Sequence, residues 1–322
     1  MKYIKCSGEA CPISKIGLGV ARFGTRIEKA ESFEMLDYFV KKGGTVLDTA
    51  RNYYEWVENG RGKSEACIGE WMERAKVRDQ IWLVTKGGVK NDGKRFWADL
   101  SSDTLLLELL QSLEALRTDY LNVYLLHRDE PDRPVEEIVE TMQMLAERGK
   151  IAQIGVANWR IERIKAANRY AERNHLKKLT VVQTWWSLAE YTDAMWDDET
   201  TTHMDDETYF YLKKEGLLAM AYSSQCKGFF QKAIAEGIDH VDSFLKKRIV
   251  TQANMKKLQY IDCFCKEHKV SPTAFVNAYI TSNPLEGIAL VSCSHLGQLK
   301  DIVEHSDYEL ERGAIEEINK VD

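Results

Sequence analysis

Short apolar runs alternate with longer amphipathic stretches along most of this 322-residue chain, and this alternation limits the fold more than any other feature. The runs are rich in β-branched residues and are bounded by polar segments, which is the pattern of buried strands. Eight such runs can be identified, at residues 13–20, 45–50, 81–86, 120–127, 151–158, 179–186, 216–223 and 286–292.

Helical patterns fill many of the intervals between these strands, for example at residues 29–44, 63–75, 102–117 and 134–150. Repeated strand–helix units indicate a parallel sheet. Eight units in a chain of this length predict a closed (β/α)8 TIM barrel, formed as a single domain over residues 1–322. An open doubly wound sheet is the alternative, but the glycines of GLGVARFG near the first strand do not form its G-x-G-x-x-G element.

The composition excludes several other classes of protein. The net charge is −6 and no Lys/Arg-rich run is present, so a nucleic-acid partner is not expected. The apolar runs are too short to span a bilayer, and the N-terminus lacks the pattern of a signal peptide. Seven irregularly spaced cysteines indicate reduced thiols and a cytoplasmic protein. The histidines form neither H-x-H nor H-E-x-x-H, so we expect no metal and disfavour a metal-dependent barrel hydrolase.

Polar residues stand where three successive predicted strands end. Asp48 ends the second strand, Lys86 the third and His127 the fourth, and Tyr53 follows Asp48 by five positions. Strand ends of this kind converge on one mouth of a barrel. A phenol has an ordinary pKa of about 10, which a nearby ammonium lowers, while a carboxylate keeps that ammonium charged. A neutral imidazole can orient a substrate oxygen. Together these four residues predict a reaction in which a carbonyl oxygen is protonated as hydride reaches its carbon, or the reverse reaction, in which an alcohol is oxidised.

The motifs around these residues resemble those of the aldo-keto reductase family. DTARNYY resembles its D-T-A-x-x-Y element, VTK carries the strand-three lysine, and YLLHRDEP resembles L-L-H-x-x-x-P. IGVANW resembles I-G-V-S-N-F, VVQTWWSL resembles N-Q-x-x-Y-x-L, and AYSSQCKGFF resembles A-Y-S-P-L-x-x-G. The resemblance implies a catalytic tetrad of Asp48, Tyr53, Lys86 and His127, with Tyr53 as the general acid.

The resemblance also implies a nicotinamide cofactor, with NADP(H) as the family default and NAD(H) as the alternative. Asn158 and Gln183 would hold the carboxamide, and Trp186 would stack on the nicotinamide ring. The chain departs from the family at Ala157, where serine is usual. It also lacks the strong cation after the last strand that pairs with a 2′-phosphate in many members. The remaining implied contacts, along the pyrophosphate and after the last strand, are Ser223, Gln225, Lys227, Gly228, Ser292, Ser294 and Gln298.

The expected substrate is a small-molecule carbonyl or alcohol. The insertion at residues 187–208 is acidic and has no Lys or Arg, which favours a neutral aldehyde, ketone or sugar over an acidic substrate. A binding protein that senses the cofactor with little turnover is the alternative function. Aromatic rings suit sugars and aromatic carbonyls alike, and those expected near the mouth are Tyr54, Trp56, Trp97, Trp185, Trp196, Phe229 and Phe230.

Overall fold

The computed structural model describes residues 1–4, 11–92, 95–148, 150–190 and 198–321. At its centre, eight parallel strands form a closed barrel in which each strand pairs with the next one along the chain and the eighth pairs with the first. The predicted (β/α)8 TIM barrel is therefore confirmed. The barrel strands β1–β8 are Ile16–Gly19, Val46–Asp48, Trp82–Gly87, Leu121–Leu126, Ile151–Ala157, Val181–Trp185, Leu218–Tyr222 and Gly287–Val291.

Helices follow the barrel strands and pack on their outer faces. Helices α1–α6 follow β1–β6 and are Lys29–Lys41, Lys63–Ala75, Ser102–Ala115, Val135–Glu147, Ile161–Arg173 and Asp206–Glu215. Helices α7–α10 follow β7, α11 follows β8, and α12 lies near the C-terminus; they are Phe229–Glu236, Ser243–Ile249, Gln252–His268, Pro272–Thr281, Leu296–Glu304 and Arg312–Ile318. Across the described ranges, none of the helices is both long and apolar enough to cross a membrane.

Side chains of the barrel strands alternate between the interior and the helical layer, because successive residues of a strand point to opposite faces. Val46 of β2 and Trp82 of β3 belong to the interior cluster, whereas Leu47 and Leu83 pack in the outer one. The next inward position on β2 is Asp48. The alternation thus directs the strand-end side chains predicted for catalysis into the barrel mouth.

A short hairpin closes the amino end of the barrel. Tyr3–Ile4 pairs antiparallel with Ile13–Ser14, and the side chains of Ile4 and Ile13 pack against interior residues such as Trp82. With that end filled by apolar side chains, the carboxyl end of the strands is the accessible one. This is the end at which barrel enzymes build their sites.

Candidate active site

Asp48, Lys86 and Tyr53 form a hydrogen-bonded cluster at the carboxyl end of the barrel. Lys86 Nζ donates to Asp48 Oδ2 at 2.7 Å and lies 2.8 Å from the Tyr53 hydroxyl, which is 3.3 Å from the same carboxylate oxygen. Lys86 also donates to the Thr49 carbonyl oxygen at 2.8 Å. The ammonium is fully buried and the carboxylate nearly so. A charge buried away from water is strongly destabilising unless an opposite charge lies beside it. The ion pair therefore holds both side chains in place beside the phenol.

A second buried ion pair anchors the loop that carries Tyr53. Arg51 Nη1 donates to Glu65 Oε2 at 2.9 Å, and the other oxygen of the buried Glu65 accepts from Thr85 Oγ1 at 2.7 Å. Gly62 adopts a φ of 74°, and a side chain there would collide with the Arg51 guanidinium. Arg51 therefore has a structural role in the loop.

Burial sets the protonation state of Tyr53. Burial raises the pKa of Tyr53 well above its ordinary value, the Asp48 carboxylate adds to this effect, and the Arg128 guanidinium opposes it. The pKa of Tyr53 is therefore raised, whereas a lowered pKa was expected for a phenol beside the Lys86 ammonium, because burial and the Asp48 carboxylate set the direction of the shift. The pKa of Lys86 is itself lowered by burial, against the influence of Asp48. The phenol therefore keeps its proton at neutral pH, as a general acid must.

His127 lies against Tyr53 as a neutral imidazole. The two rings meet edge to face with centroids 5.7 Å apart. Burial lowers the pKa of His127 well below its ordinary value, and the charges of Arg128 and Lys86 lower it further. His127 Nδ1 lies 2.8 Å from Oδ1 of Asn52, which the sequence had not singled out.

Arg128 connects the end of β4 to the acidic insertion after β6. Its Nη1 donates to the His127 carbonyl oxygen at 2.9 Å, its Nε to Thr200 Oγ1 at 2.9 Å, and its Nη2 to Asp198 Oδ2 at 3.2 Å. The guanidinium that follows β4 thus contacts the insertion after β6, which has no Lys or Arg of its own. Residues 191–197, which include Trp196, lie outside the described residues.

Asn158 and Gln183, the predicted carboxamide contacts, are both buried at the mouth. Gln183 Nε2 donates to Asp48 Oδ1 at 2.9 Å, which links this residue directly to the Asp48–Lys86–Tyr53 cluster. Asn158 Oδ1 accepts from the Tyr222 hydroxyl at 2.7 Å and from the Thr202 amide at 3.3 Å. Asn158 has a φ of 60°, a left-handed conformation that asparagine tolerates better than most residues.

Trp186 does not lie at the mouth, so its predicted stacking on the nicotinamide ring is wrong. Gln183 and Trp185 occupy inward positions of β6, and the alternation turns Trp186 outward. Its ring packs edge to face against Tyr209 and Tyr279 in the helical layer, with centroids 6.2 and 6.5 Å away. The ring that reaches the mouth is that of Tyr222, which follows the inward Met220 on β7.

Because Trp186 points outward and Tyr222 points into the mouth, we expect replacement of the first to affect stability and replacement of the second to affect cofactor binding. Trp186→Ala should lower the free energy of unfolding by about 3–5 kcal/mol, because it empties a buried site, and should leave cofactor affinity unchanged. Tyr222→Ala should weaken cofactor binding, since it removes the ring beside Asn158. Denaturant unfolding and fluorescence titration measure both quantities. Weaker cofactor binding by a folded Trp186→Ala variant would contradict the outward placement.

A cleft of about 700 Å³ runs from Tyr54 along the loops after β7, β8 and β1. Its backbone is unusual at Ser223, Cys226 and Lys227, which are not glycines and yet have φ values of 53°, 48° and 53°. Strained backbone of this kind clusters at ligand sites. The predicted contacts that line the cleft are Ser223, Gln225, Lys227, Gly228, Ser292, Ser294 and Gln298.

Arg22 brings a cation into this cleft that sequence reasoning missed. Arg22 Nη1 donates to Ser294 Oγ at 2.9 Å, and the Ser294 amide donates to Gln298 Oε1 at 2.8 Å where α11 begins. Lys300, the cation nearest to this segment in sequence, instead lies over the Tyr38 ring at 5.7 Å. Gln231 Oε1 is buried in the cleft lining with no hydrogen-bond partner among the described residues.

Four of the aromatic residues expected at the mouth form two pairs in different places. Tyr54 and Trp56 lie 5.0 Å apart between ring centroids, and Trp56, which is 59% exposed, meets Phe96 edge to face at 6.2 Å. Phe229 and Phe230 are instead fully buried among the helices, so they are packing residues and not walls of the mouth.

The chain is similar to known proteins along its whole length. The sequence profile of the Aldo/keto reductase family matches residues 15–322. Aldo-keto reductase YhdN of Bacillus subtilis (strain 168) is 24% identical, with 100% of this chain and 93% of that protein covered. Protein tas of Escherichia coli (strain K12) is also 24% identical, with coverages of 100% and 97%. Norsolorinic acid reductase of Aspergillus flavus is 31% identical over 58% of this chain and 50% of its own length.

Proposed function

Because the chain belongs to the aldo/keto reductase family, we propose that it is an NAD(P)(H)-dependent oxidoreductase that reduces a small carbonyl compound, or oxidises the alcohol, with Tyr53 as general acid. The observation that carries the proposal is the buried Asp48–Lys86–Tyr53 cluster. Relatives named as reductases and as a putative aryl-alcohol dehydrogenase fit a reaction between carbonyl and alcohol.

Each member of the cluster has a definite part in the proton transfer. Tyr53 holds its proton at neutral pH and gives it to the carbonyl oxygen of the substrate. The Lys86 ammonium, 2.8 Å from the Tyr53 oxygen, stabilises the negative charge that the proton leaves behind. Asp48 keeps that ammonium charged in its buried position. When bound, a reduced nicotinamide cofactor supplies hydride to the carbonyl carbon.

The residues around the mouth and the cleft fit such a cofactor. Asn158 and Gln183 offer amide groups for the carboxamide, and the Tyr222 ring takes the stacking role that the sequence gave to Trp186. The buried Gln231 Oε1, for which the described part of the chain offers no hydrogen-bond partner, can accept from a hydroxyl or amino group. The strained Ser223–Gly228 loop would run along the pyrophosphate, and Ser292, Ser294 and Gln298 would contact the adenosine end.

Arg22 supports NADP(H) as the preferred form of the cofactor. It lines the cleft and donates to Ser294, so its guanidinium lies beside the segment after β8. A guanidinium can pair with a phosphate through two parallel hydrogen bonds. The N-terminus of α11 begins at the same place and also favours an anion. Two carboxylates, Asp242 and Asp301, also line the cleft and oppose the binding of an anion there. The preference for NADP(H) therefore depends on Arg22, which is the residue to replace.

Titration of the purified protein with NADPH and NADH, followed by tryptophan fluorescence and then by turnover on a panel of aldehydes, tests this proposal. We expect binding of both cofactors, tighter binding of NADPH, and many turnovers per protein molecule. Arg22→Ala should weaken NADPH binding by about tenfold or more and leave NADH binding nearly unchanged, since a charged hydrogen bond contributes about 1.5–3 kcal/mol.

Arg26→Ala is the matched control, because Arg26 is exposed in the same loop and outside the cleft lining. Equal losses of NADPH and NADH affinity in Arg22→Ala would contradict the assigned 2′-phosphate contact. Oxidation of bound cofactor in a single turnover without further turnover would favour the cofactor-sensing alternative. Failure to bind either cofactor would refute the proposed function.

A further inference from the structure

Arg128 places a cation at the mouth of the barrel, directly after His127. Its Nη1 donates to the His127 carbonyl oxygen at 2.9 Å, and the same oxygen accepts from Asn158 Nδ2 at 3.4 Å. The Arg128 side chain is 21% exposed, so a molecule that enters the mouth can reach it. The mechanism above gives this guanidinium no part, although it lies beside residues that would face the substrate and the cofactor.

Asp198 and Thr200, in the insertion after β6, hold the guanidinium in a closed ring of hydrogen bonds. Arg128 Nη2 donates to Asp198 Oδ2 at 3.2 Å, and Arg128 Nε donates to Thr200 Oγ1 at 2.9 Å. The Thr200 amide donates to Asp198 Oδ1 at 3.0 Å, and the Thr200 hydroxyl donates to the same oxygen. Each oxygen of the carboxylate thus has a partner, and turning Asp198 away from Arg128 would break several of these bonds.

The segment that carries Asp198 is itself attached to the mouth. The Trp185 amide donates to the Thr202 carbonyl oxygen at 3.1 Å, and the Met204 amide donates to the Trp185 carbonyl oxygen at 2.8 Å. The Thr202 amide donates to Asn158 Oδ1 at 3.3 Å. Because these bonds fix the segment against the ends of β5 and β6, the ion pair is a built part of the mouth.

The ion pair determines what kind of group Arg128 can bind. A guanidinium has five N–H groups and binds carboxylates strongly, often through two parallel hydrogen bonds. Three of these groups are used in the contacts above, and the other two have no partner within the described ranges of the chain. They can donate to an uncharged oxygen. The Asp198 carboxylate, however, cancels the charge of Arg128 and repels a second carboxylate.

We propose that the Arg128–Asp198 pair determines the charge preference of the site, which accepts uncharged carbonyl compounds and excludes those that carry a carboxylate. The inference rests on the proposed function in placing the substrate at the mouth, and it narrows the substrate class to neutral aldehydes and ketones. Arg128 contacts the substrate, whereas Asp198 acts only through Arg128. Removal of the Asp198 charge therefore leaves a cation that attracts the compounds that the unmodified protein excludes.

Reduction of a matched pair of aldehydes by NADPH tests this preference. The pair is 4-carboxybenzaldehyde, which is an anion at neutral pH, and its uncharged methyl ester. We expect the unmodified protein to have the lower KM for the ester, and a lower KM for the carboxylate would overturn the inference. In Asp198→Asn, the KM for the carboxylate should fall about tenfold or more relative to that for the ester, since a charged hydrogen bond is gained. The ratio of the two kcat values should change little.

Two further variants show whether the effect belongs to the pair. Asp198→Asn combined with Arg128→Gln should lose the gain for the carboxylate, because the cation is then absent. Glu199→Gln is the matched control, because Glu199 is adjacent to Asp198, is exposed and loses the same charge; we expect its two KM values to match those of the unmodified protein. An equal gain in Glu199→Gln, or a gain that persists in the double variant, would contradict the role of the pair.

Binding without turnover separates this inference from the proposed function. Calorimetric titration with benzoate and with uncharged benzamide, each with and without NADPH, requires no reaction. Asp198→Asn should bind benzoate about tenfold or more tightly than the unmodified protein does, and the two proteins should differ little in their affinity for benzamide. No gain for benzoate in a folded Asp198→Asn variant would overturn the inference even if the protein reduces carbonyl compounds. The expected gain in a protein without turnover would support the inference and contradict the proposed reduction.

Discussion

Replacement of Tyr53 with phenylalanine is expected to slow carbonyl reduction by about 10²- to 10⁴-fold, the usual contribution of a positioned proton donor. The substitution removes only the hydroxyl that lies 2.8 Å from Lys86 and 3.3 Å from Asp48. Lys86 keeps its hydrogen bonds to Asp48 and to the Thr49 carbonyl, so the buried ion pair survives. Single-turnover oxidation of NADPH with a reactive aldehyde measures the rate, and fluorescence titration measures cofactor affinity, which should not change.

Tyr54→Phe is the matched control, because the two tyrosines are adjacent and lose the same atom. The Tyr54 ring packs beside Trp56 and lines the cleft, and a phenylalanine ring can keep that contact. We expect less than about a threefold change in the rate for this variant, as for most substitutions that leave the transition state untouched. Full activity in Tyr53→Phe would exclude Tyr53 as the general acid.

The barrel could be predicted from the sequence because its strands are buried on both faces. A strand that is buried on both faces has an almost unbroken run of apolar residues in its sequence. The eight runs could therefore be identified without knowledge of any contact between distant parts of the chain. The positions of Asp48, Lys86 and His127 followed from where these runs stop. The hairpin formed by Val89–Asn91 and Phe96–Ala98 was not predicted, since its strands are short and carry no such run.

The predictions that failed are those that depend on where a side chain points, which its position in the sequence does not determine. Trp185 and Trp186 are adjacent and chemically identical, and only the register of β6 shows which one points inward. Arg22 is distant in sequence from the segment after β8 and meets it only when β1 pairs with β8 to close the barrel. Contacts of this kind depend on tertiary geometry, which local patterns do not encode.

Asn52 and Arg128 illustrate the same limit at the centre of the site. Each is a neighbour in sequence of a residue that was predicted to be catalytic, yet its role depends on a partner from another loop. Asn52 reaches His127, and Arg128 reaches Asp198 and Thr200. The motif therefore predicted the candidate reacting groups, whereas the contacts that Asn52 and Arg128 make with other loops could be found only from the fold.

Separate and combined replacement of Asp48 and Lys86 should affect stability and activity differently. Asp48→Asn or Lys86→Met alone leaves one uncompensated buried charge, which should lower the free energy of unfolding by about 3–5 kcal/mol. The double variant removes both charges and should be nearly as stable as the unmodified protein. The reason is that the attraction within a buried ion pair is only slightly larger than the free-energy cost of removing both charges from water. Denaturant unfolding at neutral pH measures all four proteins.

Activity should not recover with stability in the double variant. The Tyr53 phenol would then lack the ammonium that stabilises its conjugate base, so reduction should stay slow in both single variants and in the double variant. Stability losses that simply add would show that the two side chains are not coupled, contrary to their 2.7 Å contact. Rapid reduction by the stable double variant would show that Tyr53 transfers its proton without this pair, and the cluster would then be structural rather than catalytic.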